Sequence, residues 1–163
     1  WEDQIQRPVC EIEMSQPVLS VKLKRDRIVI VSLEEVYVYT LDHNPVLLLC
    51  YSTSVNPAGL TELCTTTSLL AFPGVDKGQV SLVNIAEDSQ SQMRMIPAHT
   101  GPLAILSLNM QGTMLATACR PEEYILATSS HLAAKGCRAA PHLAASQCET
   151  FSLFHNFVDG RKR

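Results

Sequence analysis

The sequence predicts an all-β fold, an open arc of a β-propeller. Three observations predict it. Apolar–turn–apolar segments start at Pro17, Pro57 and Pro102, spaced by 40 and then 45 residues. That is the period of a propeller blade, roughly 40 to 45 residues carrying four strands. Strict alternation recurs inside each period, and nothing before residue 118 carries helical periodicity.

The first period opens with Val18-Leu-Ser-Val-Lys-Leu-Lys24, turns at Lys24 to Arg27, and continues as the apolar run Ile28-Val-Ile-Val31. Glu35-Val-Tyr-Val-Tyr-Thr40 then alternates with β-branched and aromatic side chains, as a half-buried strand does. Asp42-His-Asn-Pro45 is turn chemistry, and Val46 to Tyr51 completes the blade. The second period turns at Thr65 to Ser68 and again at Pro73-Gly-Val-Asp-Lys-Gly78. Gln79 to Ile85 alternates, Glu87 to Gln92 is polar and loop-like, and Met93 to Ile96 serves as the outer strand. The third period turns at Asn109 to Thr113 and runs on to Ala118.

From residue 119 the texture changes. Alternation stops, alanine clusters appear, and three of the five histidines and three of the six cysteines collect there. The division is therefore an N-terminal extension (1–8), a partial propeller (9–118, blades beginning near 17, 57 and 102) and a divergent tail (119–163), irregular or short-helical. The tail reads as a substituted segment from an alternative exon, frameshift or retained intron. Ala127 to Lys135 could instead form two helical turns. A start at Trp1 without an initiator Met reads as a fragment or a partial gene model.

Composition narrows the function. A chain of 163 residues with 46% hydrophobic and 18% charged side chains can bury a core and is not a disordered polymer. A net charge of −3 gives no global attraction to nucleic acid. No apolar run approaches the ~18 residues of a membrane span. The cysteines lack the close C-x-x-C spacing of metal or redox sites and read as reduced, mostly buried thiols of an intracellular protein. Cys137, His142, Cys148 and His155 are too irregularly spaced for zinc, and no nucleophile signature is present. No enzyme, metal or cofactor is expected. Repeat units cannot bury their apolar faces alone, so fewer than three blades form a marginal arc, prone to aggregation unless another chain completes it. The uncharged window Ile28 to Leu33 adds to that hazard.

Ordered segments over residues 9–118 carry a resemblance. They include Glu11-Ile-Glu-Met-Ser15, Val21-Lys-Leu-Lys-Arg-Asp-Arg-Ile-Val29, Val36-Tyr-Val-Tyr-Thr40 and His43-Asn-Pro45. They continue with Asn56-Pro-Ala-Gly-Leu60, Leu69-Leu-Ala-Phe-Pro-Gly74, Ile96-Pro-Ala-His99 and Leu108 to Ala118. In this order the chain resembles the PROPPINs, the WIPI proteins of animals. The resemblance implies two to three blades of a seven-bladed WD-repeat ring. It also implies binding of phosphatidylinositol 3-phosphate and 3,5-bisphosphate headgroups on membranes. With that go a role in autophagosome assembly and a cytoplasmic location with peripheral association to preautophagosomal or endosomal/lysosomal membranes. The family's hallmark is an Arg-Arg pair in an (L/F)-R-R-G motif, whose guanidinium forks suit phosphate oxygens. This chain has no Arg-Arg dipeptide. By resemblance His99 and Thr117 belong to a partial first lipid site, with Cys119 in place of a serine and a thiol as a poorer donor. Lipid binding is therefore expected to be impaired.

Each marker also has a plainer reading. His99 sits where WD blades place a structural histidine, and Thr117 can be a buried hydroxyl satisfied by backbone. Lys22, Lys24, Arg25 and Arg27 form a basic run, with alternation placing Lys22 and Lys24 on a solvated face. Asp26, Arg27, His43, Asn44 and Pro45 are turn residues first. They are also candidates for an edge that meets a lipid-transfer partner of the Atg-two type. The rival readings are a generic WD-repeat interaction module and a non-functional truncated isoform.

Overall fold

A computed structural model describes Pro8 and residues 10–86, 93–120 and 150–155, the last as backbone only. The described residues contain eleven β-strands and no helix. The first sheet has β1 (Ser20–Lys24), β2 (Arg27–Val31), β3 (Glu35–Thr40) and β4 (Leu47–Ser52), in that spatial order. The second has β5 (Glu62–Leu63), β6 (Leu69–Pro73), β7 (Gln79–Asn84) and β8 (Arg94–Pro97), likewise in order. The third joins β9 (Leu103–Leu108) to β10 (Met114–Cys119), with β11 (Thr150–His155) on the far side of β10. Every pairing is antiparallel.

Local sequence explains these meanders. Lys24 pairs with Arg27 across a two-residue turn, so Arg25 and Asp26 set the register of the first hairpin. Alternation along β3 puts Val36 and Val38 inside while Tyr37 and Tyr39 stay half-buried. Ile28 to Val31 are all buried in an interior strand, so most of the aggregation-prone window is covered, while Leu33 at its end is exposed. Among the described residues up to 118 the expected strands and turns are present with ends moved by one or two residues, the segment from Pro57 gives only the two-residue β5, and β11 adds a strand from the segment beyond 119. Residues 87–92, the helical alternative at 127–135, Cys137 and Cys148 lie outside the described residues.

The sheets stack face to face. Val29, Val31, Val36 and Val38 of the first sheet meet Leu70, Phe72, Val83 and Ile85 around the second. Tyr51 and Phe72 reinforce this interface with ring centroids 5.3 Å apart. The opposite face of the second sheet, through Ala71, Val80 and Leu82, meets Leu106 and Leu115 of the third. Short inner strands touch along one side, β1 to β5 and β5 to β9. The result is a fan of blades about a common inner edge.

Two expectations need correction. Lys22 and Lys24 do share a face, but it is the inter-sheet face and both are half-buried. Lys22 Nζ lies 3.1 Å from Glu62 Oε1, and Lys24 donates to the Ser68 hydroxyl. Val21 and Leu23 take the outward side instead, about half exposed. The alternation was right and the assigned face was inverted, because the outer face of the first sheet has no fourth-sheet neighbour among the described residues. The four described thiols are free, but only Cys64 and Cys119 of them are buried; Cys10 is half-buried and Cys50 is exposed.

Candidate functional site

The blade topology sorts the candidate residues to opposite ends of the strands. One end carries the β1–β2 and β3–β4 turns. The Leu41 amide donates to the Asp26 carbonyl at 3.1 Å, which ties the two turns together. Asp26 Oδ2 lies 3.1 Å from Arg27 Nη1. His43 and Asn44 are exposed beside them and Pro45 is half-buried. The structure thus brings the five edge residues to one end of the first sheet.

The other end carries the β6–β7 turn, the β8–β9 loop and the C-terminal end of β10. Gly78 closes the β6–β7 turn with φ +71°, a backbone conformation that suits glycine. Its carbonyl accepts the amides of Ala98 and His99 at 3.1 and 3.0 Å. A side chain at residue 78 would run into the His99 carbonyl. This holds the loop so that His99 Nε2 reaches Thr117 Oγ1 at 2.9 Å. Thr117 is 1% exposed, so its hydroxyl has no access to bulk water. Burial holds the His99 imidazole below its ordinary range, and a hydrogen bond with the Thr117 backbone pulls it part of the way back. Cys119 is buried two residues further along β10, beyond a register shift at Ala118/Cys119. Of the three predicted lipid-site residues, His99 and Thr117 touch; Thr117 is satisfied by a side chain rather than by backbone.

Two cations at this end were missed in the sequence. Lys77 sits in the β6–β7 turn and Arg120 directly follows Cys119, both exposed and both lining a cleft between the second and third sheets. The turn cluster around Gly78 and the position next to Cys119 were the available signals. Among the described residues no group of His, Cys, Asp or Glu is placed to hold a metal ion. No described helix is long and apolar enough to cross a membrane.

Antiparallel meanders stacked about a shared inner edge define a sector of a β-propeller. Residues 4–134 match the PROPPIN family model, and the chain belongs to the PROPPIN family. It is 37% identical over 118 residues to SVP1-like protein 2 of Emericella nidulans, covering 72% of this chain and 36% of that protein. It is 35% identical over 113 residues to WD repeat domain phosphoinositide-interacting protein 2 of Mus musculus, covering 68% and 25%. Among solved structures, Hsv2 of Kluyveromyces lactis superposes with a TM-score of 0.62 at 19% identity, over 73% of this chain and 37% of Hsv2. The chain thus spans about a third of the relatives it matches.

Proposed function

We propose that the chain acts as a non-enzymatic propeller scaffold of the phosphoinositide-linked autophagy type, with weakened lipid binding of its own. Support for the class comes from family membership and from relatives named as phosphoinositide-interacting protein 2 and autophagy-related protein 18. The weakening rests on one observation, the closed pair between His99 Nε2 and Thr117 Oγ1 at 2.9 Å. The Thr117 hydroxyl is buried and engaged by the imidazole, so it is not presented to a phosphate oxygen, and no Arg-Arg pair is encoded to supply guanidinium forks. The lipids concerned at family level are phosphatidylinositol 3-phosphate and 3,5-bisphosphate. The residual activity we assign is protein contact through the retained blades. Its proposed surface is the Asp26, Arg27, His43, Asn44 and Pro45 edge, and its proposed partner is of the Atg-two lipid-transfer type. The propeller part runs from residue 9 to 118 with β11 added; it works at the cytoplasmic surface of preautophagosomal or endosomal/lysosomal membranes.

Flotation of the full chain with vesicles tests this directly. Equal recovery with and without phosphatidylinositol 3-phosphate is expected. Selective, saturable recovery with that lipid would overturn the weakened-binding reading. Capture by the Atg-two-type partner, lost on Asp26→Arg with His43→Glu, is the expected companion result. Capture indifferent to both changes removes the edge assignment.

A further inference from the structure

The cleft between the second and third sheets has a volume of about 450 Å³, within the size range of ligand sites. It opens at the end of the strands opposite the Asp26–His43 edge. Its walls are apolar, with Pro57, Leu60, Pro73 and Pro102, and its two cations are Lys77 and Arg120.

The walls are braced before any ligand arrives. The Asn56 side chain holds both ends of its own loop, accepting from the Leu60 amide at 2.8 Å and donating to the Leu60 carbonyl at 3.1 Å. The Ser54 amide donates to the Gly74 carbonyl at 2.7 Å, and the Arg120 amide to the Pro102 carbonyl at 3.0 Å. Little ordering entropy is left to lose on binding.

The donor inventory points to an anionic ligand. Prolines contribute no N–H, and the amides of Ser54, Leu60 and Arg120 are already engaged. The charged donors of the cleft are the side chains of Lys77 and Arg120, which pair with carboxylate as well as with phosphate oxygens. Two charged side chains above an apolar floor suit carboxylates carried beside bulky apolar groups. The cleft has a further feature. Leu103 and Ala104, which line it, belong to β9, the edge strand of the third sheet, so one side of that backbone lies outside the ladder. An edge strand can add the main chain of an extended peptide.

We propose that this cleft binds a short extended peptide segment whose acidic side chains, flanked by bulky apolar ones, meet Lys77 and Arg120 while its backbone lies along β9. The occupant is a partner protein's linear segment, at a place distinct from the edge assigned above and from the His99–Thr117 pair.

The probe is acetyl-Leu-Asp-Leu-Glu-Leu-amide, titrated to about millimolar concentration into the isotope-labelled full chain and followed by NMR. Its Asn/Gln analogue is the charge control. Expected are shifts confined to residues around Val55, Ala58, Leu103 and Ala104, with the analogue bound about tenfold more weakly. Arg120→Glu and Lys77→Glu should each weaken the acidic peptide by about three- to tenfold and salt should do the same. Val55→Trp, a change at an exposed position, should block the cleft while leaving the fold intact, which separates loss of the site from loss of structure. No shift at saturating probe, equal binding of the analogue, or indifference to the charge reversals overturns the proposal. So does Arg120-dependent capture by vesicles bearing phosphatidylinositol 3-phosphate in the absence of peptide binding, which would make the cleft a lipid site.

Discussion

The Gly78 carbonyl accepts the His99 amide at 3.0 Å, so a turn in the second sheet fixes the loop that enters the third. The turn needs φ +71° at residue 78, and a Cβ there collides with the very carbonyl next to that hydrogen bond. Gly78→Ala therefore has both a backbone penalty and a steric one. A loss of about 1–3 kcal/mol is expected from urea unfolding. The His99 ring resonances should move as well, because the loop must shift to admit the methyl group. Wild-type stability with unmoved His99 signals would show that the turn does not position the histidine.

His99 makes stability depend on pH in a stated direction. Burial keeps its folded pKa below the ordinary value of 6.5, so the unfolded chain takes up this proton first as pH falls. The stabilising contribution is complete above about 6.5 and is lost as pH falls from there through the folded value. The urea midpoint should drop between about pH 7.5 and 5.5, and His99→Gln should flatten that slope. Thr117→Val removes the hydroxyl that meets the ring and keeps the backbone group that partly restores the pKa. It should leave the His99 pKa below its ordinary value in an NMR titration and cost about 1–2 kcal/mol, since the half-buried ring nitrogen loses its partner. A His99 pKa restored to its ordinary value in Thr117→Val would contradict this.

Much of the architecture was legible because strand periodicity is a local property. The β3 stretch Glu35–Thr40 shows its inward valines by alternation alone, and its burial follows that pattern. What alternation does not carry is which face meets a neighbour. Lys22 and Lys24 read as solvated because they are charged, yet their stems run between sheets and their ammonium groups reach Glu62 and Ser68. The site was half legible. His99 and Thr117 stand 18 residues apart in sequence, and only the resemblance linked them before the structure brought them to 2.9 Å. Lys77 and Arg120 come from different sheets, and no pattern along the chain relates two such positions. The strand Thr150–His155 was missed because the intervening sequence loses the blade rhythm.

The interface between the first two sheets is where a core substitution should cost most. Phe72 is fully buried in β6, stacked against Tyr51 and packed among valines of the facing sheet. Phe72→Ala opens a cavity that two strand backbones cannot close over. Destabilisation of about 3–5 kcal/mol is expected by thermal or urea unfolding. For a small arc with exposed apolar end faces, that loss should appear as aggregation in light scattering at temperatures where the parent chain stays dispersed. By contrast, Lys22→Met breaks a pair whose members are each about a third exposed, and should change stability by less than about 1 kcal/mol.

Asn56 offers the sharpest test of how the loop over the cleft is built. It is 2% exposed, and its side chain spans the turn by accepting from the Leu60 amide and donating to the Leu60 carbonyl. Asn56→Asp keeps the acceptor, loses the donor and places a carboxylate next to a carbonyl oxygen in a dry setting. Neutralising that carboxylate restores a donor, since a protonated carboxyl carries one O–H. The variant should be about 1–3 kcal/mol less stable than the parent at neutral pH, and the difference should shrink as pH falls toward the carboxyl range. Asn56→Ala, which loses both bonds and carries no charge, should be destabilised without that recovery. If Asn56→Asp shows no pH-dependent recovery relative to Asn56→Ala, the hydrogen bond to the Leu60 carbonyl does not brace the loop, and the preformed wall of the cleft must be held by the Ser54–Gly74 contact instead.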